Sequence, residues 1–180
     1  MKHILLSALI AVVIAACASS LPYSSNFPLT ESTLRSRDGV FTGRIPVGWF
    51  SSTEDSLGSS LTAWLTKEDY SATLAVKELK LDFLAARRVQ KEGLELLAYL
   101  NALMEGTMQP TGEIKQFQFA GRKYASYELS QGTNSSRVVV FIAKGRFYAC
   151  TARTVKGSIS LEETLNLFRA QQTFVTSLDY

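Results

Sequence analysis

Ile114-Lys115-Gln116-Phe117-Gln118-Phe119 alternates apolar and polar residues, and the stretch behind it returns to strand-like sequence three times. Ala120-Gly121-Arg122 reads as a turn, Tyr124 to Leu129 as the answering strand, and Gln131-Gly132-Thr133-Asn134-Ser135 as a second turn. Val138 to Ala143, the pair Lys144-Gly145, and Phe147 to Thr154 complete the series. Alternation of period two sends successive side chains to opposite faces of a pleated strand. Glycine at each turn supplies the backbone freedom that short hairpins need. The stretch therefore predicts a four-strand antiparallel meander. Val138-Val139-Val140-Phe141-Ile142 is apolar on both faces, which predicts a strand in the interior of the sheet.

On the C-terminal side, Ser160-Leu161-Glu162-Glu163 forms a capping box that opens a helix. Its apolar stripe is Leu161, Leu165, Phe168 and Val175, with Phe174 and Leu178 beside it. Glu162-Glu163 is explained by helix-start charge meeting the macrodipole. On the N-terminal side the period changes. From Asp82 to about Met104 apolar residues recur at Val89, Gly93, Leu96, Leu100 and Leu103, widened by Leu94, Leu97 and Met104. That spacing predicts one amphipathic helix, with Asp82 as N-cap and Gly106 as stop. Arg88/Glu92 and Lys91/Glu95 are spaced to pair along its wet side. Earlier still, Val40 to Ile45 ended by Pro46, Val47-Gly48-Trp49-Phe50, Leu61 to Leu65 and Ala72 to Leu79 read as strands. The order predicts an α+β fold over residues 38–180, a single domain whose mostly antiparallel sheet is covered by two amphipathic helices.

The first residues have another character. Met1-Lys2-His3 is a short basic start, Ile4 to Ile14 an apolar run broken only by Ser7, and Ala15-Ala16 a pair of small residues. This is the pattern of a secretory signal, and the run is shorter than the roughly 20 residues a membrane span needs. Ile14-Ala15-Ala16-Cys17 resembles the lipobox of bacterial lipoproteins. The resemblance implies lipidation of the Cys17 thiol by a diacylglycerol and cleavage between Ala16 and Cys17. Residues 1–16 are then a signal peptide, and the partner of the mature chain is a membrane, reached through its lipid. Ala18 follows the cysteine where Asp would favour the inner membrane, so the expected location is the periplasmic face of an outer membrane, if the source has two. Residues 17–37 are rich in Ser, Thr and Pro without a persistent period, and are expected to form a flexible tether with a reach of roughly 25 Å. Tyr23 and Phe27 offer an alternative, that the segment is pinned to the domain.

The body has a resemblance of its own. Phe41-x-x-x-Ile45-Pro46-x-x-Trp49, the mid-chain helix, and the Val138–Thr154 hairpin followed by a helix resemble PsbP-like proteins. That resemblance implies an α/β/α sandwich and a binding or assembly role.

Residue chemistry narrows the function. The one histidine, His3, lies in the signal, so Ser-His-Asp, Cys-His and histidine-based metal sites have no residue to use. The acidic pairs Glu54-Asp55, Glu68-Asp69 and Glu162-Glu163 do not match a calcium loop. Gly-rich phosphate loops are absent, and Asn134-Ser135-Ser136 reads as a turn. Cys150 sits in a strand pattern, where a free cysteine is usually a small buried hydrophobe. Loss of Lys2 with the signal leaves 18 basic and 16 acidic side chains, a balance that gives no case for nucleic acid. Arg87, Arg88 and Lys91 with Arg35, Arg37 and Arg44 are either a basic face for anionic lipid or ordinary solvated charge. Trp49, Phe50 and Trp64 are core aromatics or the lining of a ligand groove. No catalytic residue, cofactor site or metal site is expected. The expected function is a non-catalytic, membrane-tethered envelope module that binds an unidentified envelope protein. The alternative is a carrier or sensor of a small apolar ligand held between sheet and helix.

Overall fold

The computed structural model describes residues 21–52, 61–104, 112–131, 134–155 and 159–180. The meander forms as β6 (Lys115–Phe119), β7 (Arg122–Gln131), β8 (Asn134–Ala143) and β9 (Arg146–Thr154). Two of its turns have only two residues, Ala120-Gly121 and Lys144-Gly145, all four with φ between 46° and 78°. Positive φ at both positions matches the twist of the flanking strands and locks the register Phe119↔Arg122 and Ala143↔Arg146. Asn134, Ser135 and Ser136 are strand residues rather than a turn, paired with Gln131, Ser130 and Leu129.

Upstream lie β1 (Leu29–Arg35), β2 (Thr42–Pro46), β3 (Trp49–Ser51), β4 (Leu61–Lys67) and β5 (Ala72–Glu78). β1 and β2 pair with each other, and the rest form a seven-stranded antiparallel sheet in the order β3-β4-β5-β9-β8-β7-β6. The β5–β9 pair joins the two halves of the chain, from Ala72↔Thr154 to Glu78↔Tyr148. β8 lies in the interior between β9 and β7, as its apolar run predicts.

Three helices cover the sheet among the described residues. The single helix expected over 82–104 is two, α1 (Phe83–Glu92) and α2 (Leu94–Met104), because the backbone leaves helical geometry at Gly93, φ 97°. Asp82 caps α1, accepting from the Ala85 N–H at 2.8 Å. The break resets the helical phase. α2 buries Leu94, Leu97, Ala98, Asn101 and Ala102, while Leu103 and Met104 of the expected stripe stay exposed. Arg88 and Glu92 pair at 3.1 Å, whereas Lys91 and Glu95 fall on different helices. α3 (Leu161–Thr176) carries the full capping box on Ser160 and Glu163. Leu161 of its expected stripe is exposed, while Phe168, Val175 and the neighbouring Phe174 are buried as expected and Leu167 joins them.

The sheet has two dressed faces. α3 and the β1–β2 hairpin cover one, over a core of Phe41, Val139, Phe141, Tyr148, Phe174 and Leu178. Gly43 is what lets the end of α3 and Leu178 beyond it come so close, since a Cβ at Gly43 would lie 3.1 Å from Phe174 Cε2 and 2.7 Å from Leu178 Cδ2. α1 and α2 cover the other, over Leu79, Val138, Val140 and Ala149.

The tether expected to run to Arg37 is not free over that length. Leu29–Arg35 is a strand, and Leu21, Tyr23 and Phe27 pack on the core below α3. The Phe27 N–H donates to Thr173 Oγ1 at 3.0 Å and the Tyr23 hydroxyl to Glu128 Oε1 at 2.7 Å. Strand pairing satisfies the backbone, and three scattered apolar side chains suffice to hold a segment with no period of its own. Ala16, Cys17, the Glu54-Asp55 pair and Gly106 lie outside the described residues.

Candidate functional site

A half-open groove of about 240 Å³ runs between the first turns of α3 and the β3–β4–β5 edge. Phe27, Trp49, Ala72, Ile159 and Leu167 give it apolar walls, and Lys67, Ser71, Glu163 and Asn166 form its polar rim. Trp49 is there because β3 pairs it with Lys67 while Pro46 and Gly48 turn the chain in front of it. The rim charges are already engaged. Lys67 Nζ donates to Asp69 Oδ2 at 2.8 Å and to Ser71 Oγ at 3.3 Å. Those lysine and serine hydrogen bonds hold the Asp69 carboxyl well below the usual carboxylate range. Glu163 is likewise lowered, first by the Ser160 N–H and then by its hydroxyl. Both carboxylates stay ionised at neutral pH. What the groove can do is receive an apolar group within a polar rim.

Next to it, under Tyr23, lies a buried polar cluster. Arg137 is 1% exposed, and its guanidinium donates to Gln171 Oε1 at 3.1 Å and Gln172 Oε1 at 2.7 Å. Gln171 Nε2 donates in turn to the carbonyls of Arg137 and Cys150, at 2.9 and 2.7 Å. The Tyr23 ring covers the guanidinium carbon at 4.8 Å and meets Phe168 edge-on at 5.4 Å. Burial lowers Arg137 to about 10 and, with the Glu128 bond, raises Tyr23 to about 12, so neither changes charge near neutrality. Polar groups placed this way specify how strap, helix and sheet fit together. Nothing in the composition of β8 or α3 singled out Arg137, Gln171 or Gln172. The available signal was an arginine on the inward side of an apolar strand.

The other residues singled out by sequence fall apart spatially. Cys150 is fully buried, and burial pushes its thiol up to about 12, so it is held as the unreactive thiol. Trp64 is half-buried and donates to Thr66 Oγ1 at 2.9 Å; Phe50 is 37% exposed and meets Tyr70 edge-on. Only Trp49 of the three lines the groove. The six basic residues do not share one face. Arg87, Arg88 and Lys91 lie on α1, whereas Arg35 and Arg44 belong to the hairpin on the opposite side of the sheet, with Arg44 paired to Glu31 at 3.1 Å. Among the described residues no group of three or more potential ligands could hold a metal ion, and no helix is long and apolar enough to cross a membrane.

No protein-family model matches the chain, and no curated protein matches it. Among solved structures it is similar to cyanobacterial PsbP (CyanoP) from Synechocystis sp. PCC 6803, with 12% identity over 91% of this chain and 98% of that one, at a TM-score of 0.50. It is also similar to the Ran-binding protein Mog1p of Saccharomyces cerevisiae, with 12% identity over 84% of this chain and 95% of that one, TM-score 0.48. LpqN of Mycobacterium tuberculosis, involved in cell envelope biogenesis, is 14% identical over 83% of this chain and 90% of that one, TM-score 0.48. The likeness to cyanobacterial PsbP is one of fold: an α+β body with a large antiparallel sheet and helices on both faces.

Proposed function

We propose that the chain is a membrane-tethered, non-catalytic lipoprotein of the cell envelope that presents its α+β domain to a protein partner. The groove beside α3 carries the partner reading. Its volume of about 240 Å³ is below the roughly 300–1,000 Å³ of small-molecule sites, and it is half-open. A site of that size and shape takes an apolar side chain offered by another surface. Its rim carboxylate Glu163, held low by bonds from Ser160, and the Lys67 ammonium frame that contact.

The anchor is Cys17, lipidated after cleavage behind Ala16, and Ala18 favours the periplasmic face of an outer membrane in a two-membrane source. The pinned strap supports a closer placement than a free tether allows. Four residues from Cys17 to Leu21 span at most about 14 Å fully extended, against the roughly 25 Å expected of a flexible tether. The body would then ride close to the headgroups.

A second reading, a carrier or sensor of a small apolar ligand, draws support from the apolar walls Phe27, Trp49 and Leu167. The two separate experimentally. A photo-crosslinking amino acid at Asn166, on the groove rim, should capture a discrete envelope protein in intact cells, and one at exposed Leu103 should not. Equal labelling at both positions in repeated trials removes the partner reading. Solvent extraction of a stoichiometric apolar small molecule from the purified protein would replace it with the second.

A further inference from the structure

We propose that the outward face of α1 is a docking surface for an anionic lipid bilayer. Val89 is the buried residue of α1, and at 100° per residue the stripe opposite it consists of Phe83, Leu84, Arg87 and Lys91, with Arg88 on its flank. All five are exposed, Phe83 to 76% and Leu84 to 71%. Spacing of four residues sets Phe83 beside Arg87, Leu84 beside Arg88 and Arg87 beside Lys91. Glu92 offsets one of these charges through its bond to Arg88 at 3.1 Å.

The basic character continues past the helix. Exposed Lys80 leads into α1. The Leu79 N–H donates to the Phe147 carbonyl at 2.8 Å, so β5 leaves the sheet at the end where β8 turns into β9. Val89 packs with Leu79, Ile142 and Phe147 at that same end. Exposed Lys144 sits on the β8–β9 turn.

A bilayer takes both chemistries together. Phe83 and Leu84 enter the boundary between headgroups and acyl chains, while the long basic side chains lie along it with their charges at the phosphates. An acidic protein surface would meet the charges and is the competing occupant.

This inference rests on the tethered reading for the chain's location.

The test is an environment-sensitive fluorophore on Leu84→Cys in the full lipidated chain. Cys150 is buried with a raised thiol pKa and stays unlabelled. The chain is reconstituted in vesicles of phosphatidylcholine alone, or with about 30 mol% phosphatidylglycerol to supply surface charge. The anionic vesicles should raise emission at Leu84→Cys about twofold or more as the probe leaves water, while the same probe on Leu161→Cys stays constant. Arg87→Glu with Lys91→Glu, or about 0.5 M salt on the otherwise unchanged protein, should abolish the rise. Equal emission on both vesicle compositions overturns the inference. A response to a polyglutamate peptide without one to anionic vesicles overturns it in favour of an acidic protein. Loss of flotation with phosphatidylcholine vesicles, alongside an intact response at position 84, removes the anchor and leaves the α1 surface standing.

Discussion

The two faces of the seven-stranded sheet are closed by different physics. The α1/α2 face is mostly apolar packing, Leu79, Val89, Leu97, Ala98, Val138 and Val140, with a buried polar link from Asn101 Nδ2 to the Tyr127 hydroxyl at 2.7 Å. The α3 face has an apolar core as well, but a buried arginine and two buried glutamines decide how strap, helix and sheet meet. Apolar packing tolerates sliding and resizing, whereas a guanidinium with fixed acceptors tolerates little. The face that fastens the strap is therefore the geometrically specified one. The helical layer opposite is held mainly by area.

Four measurements break or sharpen that contrast. Leu97→Ala, on the apolar face, should cost about 3 kcal/mol in urea unfolding, from lost burial and the cavity left behind. Arg137→Met keeps the volume but orphans two buried carboxamide oxygens, and should cost about 2 kcal/mol. If Arg137→Met costs more than Leu97→Ala, the polar face governs stability as well as geometry. Thr173→Val removes the acceptor of the Phe27 N–H and should cost about 1 kcal/mol. It should also accelerate hydrogen exchange at that amide, with little change at the Val138 and Val140 amides.

The smallest effect is a pH dependence. Burial alone would raise the Asp38 carboxyl. Hydrogen bonds from the Tyr148 hydroxyl at 2.6 Å, from Ser36 and from the Val40 N–H, with Arg146 at 3.6 Å, outweigh it and hold it below the usual range. The unfolded chain then binds more protons there. The stabilisation is complete above a pH of about 4 and is lost as pH falls through the lower folded value. Asp38→Asn should flatten the stability profile in that acid window, and an unchanged slope would show that Asp38 is not held low.

This division also explains what was legible in the sequence. The meander, the capped α3 and the helical character of 83–104 follow from local period and turn chemistry. They appear close to where Ile114–Thr154, Ser160 and Asp82 place them. What local pattern cannot carry is a partner far along the chain. Tyr23 bonds a residue 105 positions away and Phe27 one 146 positions away, so a segment without periodicity was expected to be loose. The phase reset at Gly93 is not legible locally, because glycine fits a helical stripe as a small residue. The groove was half legible. The sequence marks Trp49 as a possible groove residue, but its neighbours come from β4, β5, α3 and the strap.

The tether itself has the most direct test. Cells expressing the chain should incorporate radiolabelled palmitate into a band trimmed of residues 1–16. Cys17→Ala should remove the label and accumulate the untrimmed precursor. Label that persists in Cys17→Ala, or normal trimming without that cysteine, would contradict the membrane-tethered account.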